Sequence, residues 1–140
     1  PRDWSSDVCS SDLDDLAFID MLWADWSPGH DGREDTAHVK RALATPANVT
    51  AALGYYRATL GDGFKDPLLD AAQAATQGIP TQPMLYLHGR TDGCVGIEVA
   101  EVAAAAVPDH VRVEFVDDAG HFLQVERPTT VNRLVLDFLS

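Results

Sequence analysis

From residue 14 onward the apolar residues recur with two different periods, and the change falls near residue 80. In DDLAFIDMLWADW, residues 14–26, Leu16, Ile19, Leu22, Trp23 and Trp26 lie three and four residues apart. That spacing predicts an amphipathic helix. Pro28 and Gly29 in SPGHDG stop it. REDTAHVKRALAT predicts a second helix, with acids at its start and bases later, as the helix macrodipole favours. Pro46 suits the first turn of a third, ANVTAALGYYRATL, in which Val49, Leu53, Tyr56 and Leu60 fall roughly in line. Gly61, Gly63 and Pro67 predict a loop, LLDAAQAATQ a weak helix, and GIPTQP a boundary.

Beyond that boundary the short apolar run MLYLH predicts a strand buried on both faces of a parallel sheet. GIEVAEVAAAAVP predicts a helix closed by Pro108. VRVEFV alternates, with Val111, Val113 and Phe115 on one face and Arg112 and Glu114 on the other, as in a strand near a sheet edge. RPTTVNRLVLDFL opens on Pro128 and aligns Val131, Leu134, Val135, Phe138 and Leu139 in a final amphipathic helix. Strand, helix, strand, helix is an α/β pattern, and the right-handed crossover makes the strands parallel neighbours or near neighbours.

Composition narrows the function classes. The 140 residues are 46% hydrophobic, enough for a core. The net charge is −12, of which −2 falls in residues 1–13. So acidic a chain offers no basic patch for a nucleic acid or an anionic membrane, and no apolar run is long enough to span a bilayer. Cys9 and Cys94 form no zinc or disulfide spacing, and the five histidines show no metal-ligand pairing. No glycine-rich phosphate loop appears, so neither metal nor cofactor is expected. Low cysteine use points to the cytoplasm. Residues 1–13 lack either apolar period and predict a disordered end, and DWSSDVCSSDL, residues 3–13, resembles the conceptual translation of a common DNA sequencing adapter. That segment is expected to be an artefact.

The candidate chemistry lies where the two strands end. Open α/β sheets gather their reactive loops at the carboxyl edge. Asp92, in HGRTDGCVG, follows the first strand, and His121, in DDAGHF, follows the second. Neighbouring strands sit about 4.8 Å apart, so a carboxylate there can hold an imidazole in one tautomer and leave its other nitrogen as a general base. Gly120 is expected to let the backbone turn sharply before the histidine. Singly, Asp92 also fits a turn residue bonded to its own backbone, and His121 a surface or core histidine.

These residues resemble a family. PMLYLHGRTDGCVG and VEFVDDAGHFLQVERPTTVNRLVLDFL are similar to the last two strand–helix units of the α/β-hydrolase fold, most of all in its epoxide hydrolase and haloalkane dehalogenase branch. The H-G-x-x-D loop and the G-H-F-x-x-x-E-x-P segment carry the likeness. It implies that Asp92 is the triad acid and His121 the triad base, that residues 14–66 are the remnant of a helical lid, that 67–79 connect, and that 80–140 are the C-terminal part of the hydrolase core. ALGYYRATL is similar to an epoxide hydrolase lid segment. By that match Tyr56, with Tyr55 as fallback, donates to the epoxide oxygen, and Phe122 beside the base is a further substrate-facing candidate. Tyr86, inside the strand, is a core residue.

One part of the family pattern is missing. No serine or aspartate stands on a G-x-S-x-G type elbow after an apolar strand. The resemblance therefore implies a fragment of a parent enzyme that opens a small-molecule epoxide through an aspartyl ester, the fragment itself being inactive. Two alternatives within the fold are a serine esterase or acyl hydrolase and a haloalkane dehalogenase, for which Trp23 and Trp26 are available. A third reading, from another class, is a non-catalytic acidic helical module.

Overall fold

The computed structural model describes residues 14–61, 63–76 and 78–140. The adapter-like segment, with Cys9, lies outside them. The two strands are β1 (Met84–Gly89) and β2 (Val111–Val116). They pair in parallel with Met84 opposite Val111 and Gly89 opposite Val116. Between them runs a helix, Ile97–Ala106, the crossover that a parallel pair requires. This is the mixed α/β arrangement that the pattern predicts.

Three helices precede the sheet: α1 (Ala17–Trp26), α2 (Arg33–Ala42) and α3 (Pro46–Leu60). Each lies where the sequence predicts it, α1 and α3 by their three-and-four spacing and α2 by its order of charges. Thr45 caps α3 by accepting from the Asn48 amide at 3.2 Å, and Pro46 occupies the first turn, where its missing N–H is no loss. Lys40 of α2 donates to Asp20 of α1 at 2.5 Å, which lowers the Asp20 pKa and ties the two helices. The weak helix forms as one short turn, α4 (Asp70–Ala75), after a 3-10 turn at Pro67–Leu69. The crossover helix is α5. After β2 comes a one-turn helix, α6 (Leu123–Glu126), that the apolar period does not reveal, and then α7 (Pro128–Leu139).

The core is small. Val116, Ala119 and Leu134 form its buried centre, with Leu87 and Leu123 packed against it. Helix α7 buries Val131 and Leu134 and half-buries Phe138, while Val135 and Leu139 stay exposed. Strand β1 departs from the expectation of burial on both faces. Only His88 and Gly89 are buried, and Met84 to Leu87 are half-buried. It pairs with β2 on one side and with no second strand among the described residues on the other. The burial deepens toward the carboxyl end, where the loops close over the sheet.

Candidate active site

The ladder between the strands continues into the loops that follow them. Past Gly89, the Arg90 amide donates to the Val116 carbonyl at 3.0 Å and the Thr91 amide to the Ala119 carbonyl at 2.9 Å. The loop after β1 then turns, with the Asp92 amide bonded to the Gly89 carbonyl at 3.2 Å. The loop after β2 turns at Asp118, which takes a left-handed φ of 51°. Gly120, expected to make that turn, does not: its φ is not in the left-handed region. Its lack of a side chain serves a close approach instead, since a Cβ there would stand 2.6 Å from the Ser27 Cα and 2.7 Å from the Trp26 carbonyl oxygen.

This zipping brings Asp92 and His121 face to face. The His121 Nδ1 lies 3.0 Å from Asp92 Oδ2 and 3.2 Å from Oδ1. The Asp92 side chain is 6% exposed and that of His121 32%. Asp92 is further fixed by its own loop, because Oδ1 accepts from the Cys94 amide at 2.8 Å and the Val95 amide at 3.0 Å. Asp92 thus closes its own loop, as the turn reading expects, and the same carboxylate faces the imidazole. A carboxylate is an acceptor, so the proton of the imidazole belongs on Nδ1. The Nε2 atom makes no hydrogen bond among the described residues, and its lone pair is open to take a proton.

Helix α1 ends against both loops. The carbonyl of Trp26, its last residue, accepts from the Gly93 amide at 3.1 Å and the His121 amide at 2.9 Å. One oxygen therefore joins the Asp92 loop to the His121 loop. The Trp26 ring meets the His121 ring edge-on at 4.9 Å, and Phe122 does so at 5.2 Å. Phe122 in turn stacks on Trp23 at 3.9 Å. The two tryptophans spaced along the α1 face are the wall of this site as well as helix packing.

A second histidine lies behind the acid. His88, buried at the end of β1, has its Nε2 3.0 Å from the Val95 carbonyl and its Nδ1 3.0 Å from the Tyr86 hydroxyl. Its Nε2 stands 3.8 Å from Asp92 Oδ2. These partners suit a neutral ring that donates from Nε2 and accepts at Nδ1. Burial, with the charge of Asp92 adding to it, pushes the Tyr86 hydroxyl and the Cys94 thiol up from their ordinary pKa values.

The structure leaves the other two candidates apart. Tyr56 and Tyr55 on α3 are 61% and 80% exposed. Neither shares a hydrogen bond or ring contact with Asp92 or His121 among the described residues. Sequence reasoning missed Ser27 and Glu126, and it named Trp26 only for its ring, not for its carbonyl. Ser27 sits in what reads as a plain helix breaker, and it is 1% exposed. The only signal for Glu126 is its fixed place in the G-H-F-x-x-x-E-x-P segment. Among the described residues, no group of three His, Cys, Asp or Glu side chains is placed to hold a metal ion. Nor is any helix among the described residues long and apolar enough to cross a membrane.

No family model matches the chain. Individual proteins do. Human Epoxide hydrolase 4 is 37% identical over 60 residues, 43% of this chain and 17% of that protein. The AB hydrolase superfamily protein YfhM of Bacillus subtilis is 29% identical over 107 residues, 76% of this chain and 34% of that one. Among solved structures, Est816, described as an N-acyl homoserine lactone degrading enzyme, superposes with a TM-score of 0.53 at 23% identity, over 91% of this chain and 49% of that one. The chain thus spans 17% and 34% of the length of these two curated relatives. It is a mixed α/β chain that matches, in part, proteins of the α/β-hydrolase superfamily, epoxide hydrolases among them.

Proposed function

We propose that His121 and Asp92 are the base and orienting acid of a hydrolase whose nucleophile lies outside these 140 residues, and that the whole enzyme converts an epoxide to a diol. The observation that carries the reading is the 3.0 Å contact between His121 Nδ1 and a buried, doubly anchored Asp92. Similarity to a protein named as an epoxide hydrolase supports the substrate class.

In the proposed reaction an aspartate carboxylate attacks a ring carbon, the C–O bond of the epoxide breaks, and a phenol protonates the oxygen that leaves. Tyr56 is the proposed phenol, with Tyr55 second, once the lid helix they ride on covers the site. His121 Nε2 then takes a proton from water. The resulting hydroxide adds to the ester carbonyl, the diol oxygen departs with the proton from the imidazolium, and the carboxylic acid so formed releases its proton to the phenolate through water, which restores both the carboxylate and the phenol. Asp92 stabilises the imidazolium and holds Nδ1. Trp26 and Phe122 pack edge-on against the ring at 4.9 and 5.2 Å and give it an apolar side. The 140-residue chain alone has no turnover, because its base has no ester to hydrolyse. Residues 14–66 act as lid and 80–140 as part of the core.

The test traps the ester. A longer chain that supplies the nucleophile, carrying His121→Gln, is incubated with an aryl epoxide and weighed by mass spectrometry. The expected result is a covalent adduct of the epoxide's mass that persists. Failure to label with epoxide, together with an acyl adduct from an aryl ester, would transfer the pair to an acyl hydrolase.

A further inference from the structure

The three consecutive amides that carry His121 are all tied down, and two of them are tied to one carboxylate. Glu126 Oε2 accepts from the Gly120 amide at 2.8 Å, and Oε1 accepts from the Phe122 amide at 3.1 Å. Oε1 also accepts from the Ser27 hydroxyl at 2.7 Å. The amide between them, that of His121, goes to the Trp26 carbonyl. Ser27 is the residue after Trp26, and its Oγ accepts a longer bond from the Phe122 amide at 3.3 Å.

We infer that Glu126, fixed by Ser27, is a positioning residue that sets the backbone of His121 and so the aim of its imidazole at Asp92; this rests on the acid–base reading of that pair. An ionised carboxylate offers only acceptors. Three donors from two distant segments converge on it, and charged hydrogen bonds are shorter and stronger than neutral ones. Ser27 is almost fully buried and ninety-nine residues away in sequence. Glu126 thereby joins the end of α1 to the loop of the base, and with the Trp26 carbonyl it clamps residues 120–122 from two sides. The His121 Nδ1 stays at 3.0 Å from Asp92 Oδ2 only if that backbone is held.

A glutamine in this place keeps one acceptor oxygen but sets an amide nitrogen against a donor, so one clamp bond is lost. The experiment is the imidazole nitrogen spectrum of the full chain labelled with nitrogen-15 histidine. In the unchanged chain His121 carries its proton on Nδ1. Glu126→Gln and Ser27→Ala are expected to lose that single form and show interchanging tautomers at His121, while Ser27→Thr, which keeps the hydroxyl, retains it. His88, held by Tyr86 and Val95, serves as the internal control and should not change. A merely structural role would move both histidines together or neither. Retention of the Nδ1–H form in Glu126→Gln and Ser27→Ala overturns the inference and leaves the acid–base reading standing. Should Glu126→Gln unfold, Ser27→Ala decides alone: loss at His121 with His88 unchanged upholds the inference, and retention overturns it. An unchanged chain without Nδ1–H at His121 removes the acid–base reading itself.

Discussion

At the scale of the residue, Asp92 is the hub. It closes its own loop through two amides, faces His121, and stands near His88. Its charge also reaches the Cys94 thiol, whose pKa rises above the ordinary 9.0 through burial first and Asp92 second. A raised thiol pKa favours the protonated form in the folded chain. Between the ordinary and the folded value the folded state holds more protons than the unfolded one, so this term is intact below the ordinary value and stability declines as pH climbs past it. The same sign holds for Tyr86. Because the thiolate is the reactive form, alkylation of Cys94 in a Cys9→Ser chain should have its midpoint above that of a free thiol. Asp92→Asn should bring the midpoint down. A midpoint that does not move with that substitution would place the charge of Asp92 elsewhere.

At the scale of the element, the apolar period found α1, α3 and α7 and the alternation found β2, while a continuous apolar run marked β1, the order of charges marked α2 and the stop at Pro108 marked α5. The apolar period could not find α6, whose four residues are shorter than a helical period can declare. Nor could it find the service done by the end of α1. A helix face shows in the sequence as spacing, but the Trp26 carbonyl is a backbone atom and has no sequence signature at all. The glycine at 120 was visible, and its purpose was not: the left-handed turn falls on Asp118, and Gly120 gives room for Ser27 and Trp26. Gly120→Ala must push α1 and the loop apart. We expect a loss of about 1–3 kcal/mol, in the range of overpacking a tight contact, read as a lower urea midpoint. An unchanged midpoint would mean that the α1 end does not press on the loop of the base.

At the scale of the whole molecule, two strands and a small core carry a site built from three segments: the end of α1 and the loops after β1 and β2. The position of Asp92 and His121 was legible in advance, since a parallel pair puts successive strand ends at one edge. Their distance was not, because it depends on the register of Gly89 with Val116 and on bonds that extend the ladder to Thr91 and Ala119. Tyr55 and Tyr56 were singled out by a motif, yet α3 leaves them exposed, and covering the site with them belongs to the proposed enzyme. The central claim concerns the proton that lies between the two loops. It is read most directly by comparing the His121 nitrogen signals of the unchanged chain and of Asp92→Asn at neutral pH. One tautomer, protonated on Nδ1, that gives way to a mixture when the carboxylate becomes an amide is the result required here. A ring that favours Nε2–H, or one indifferent to residue 92, would contradict it.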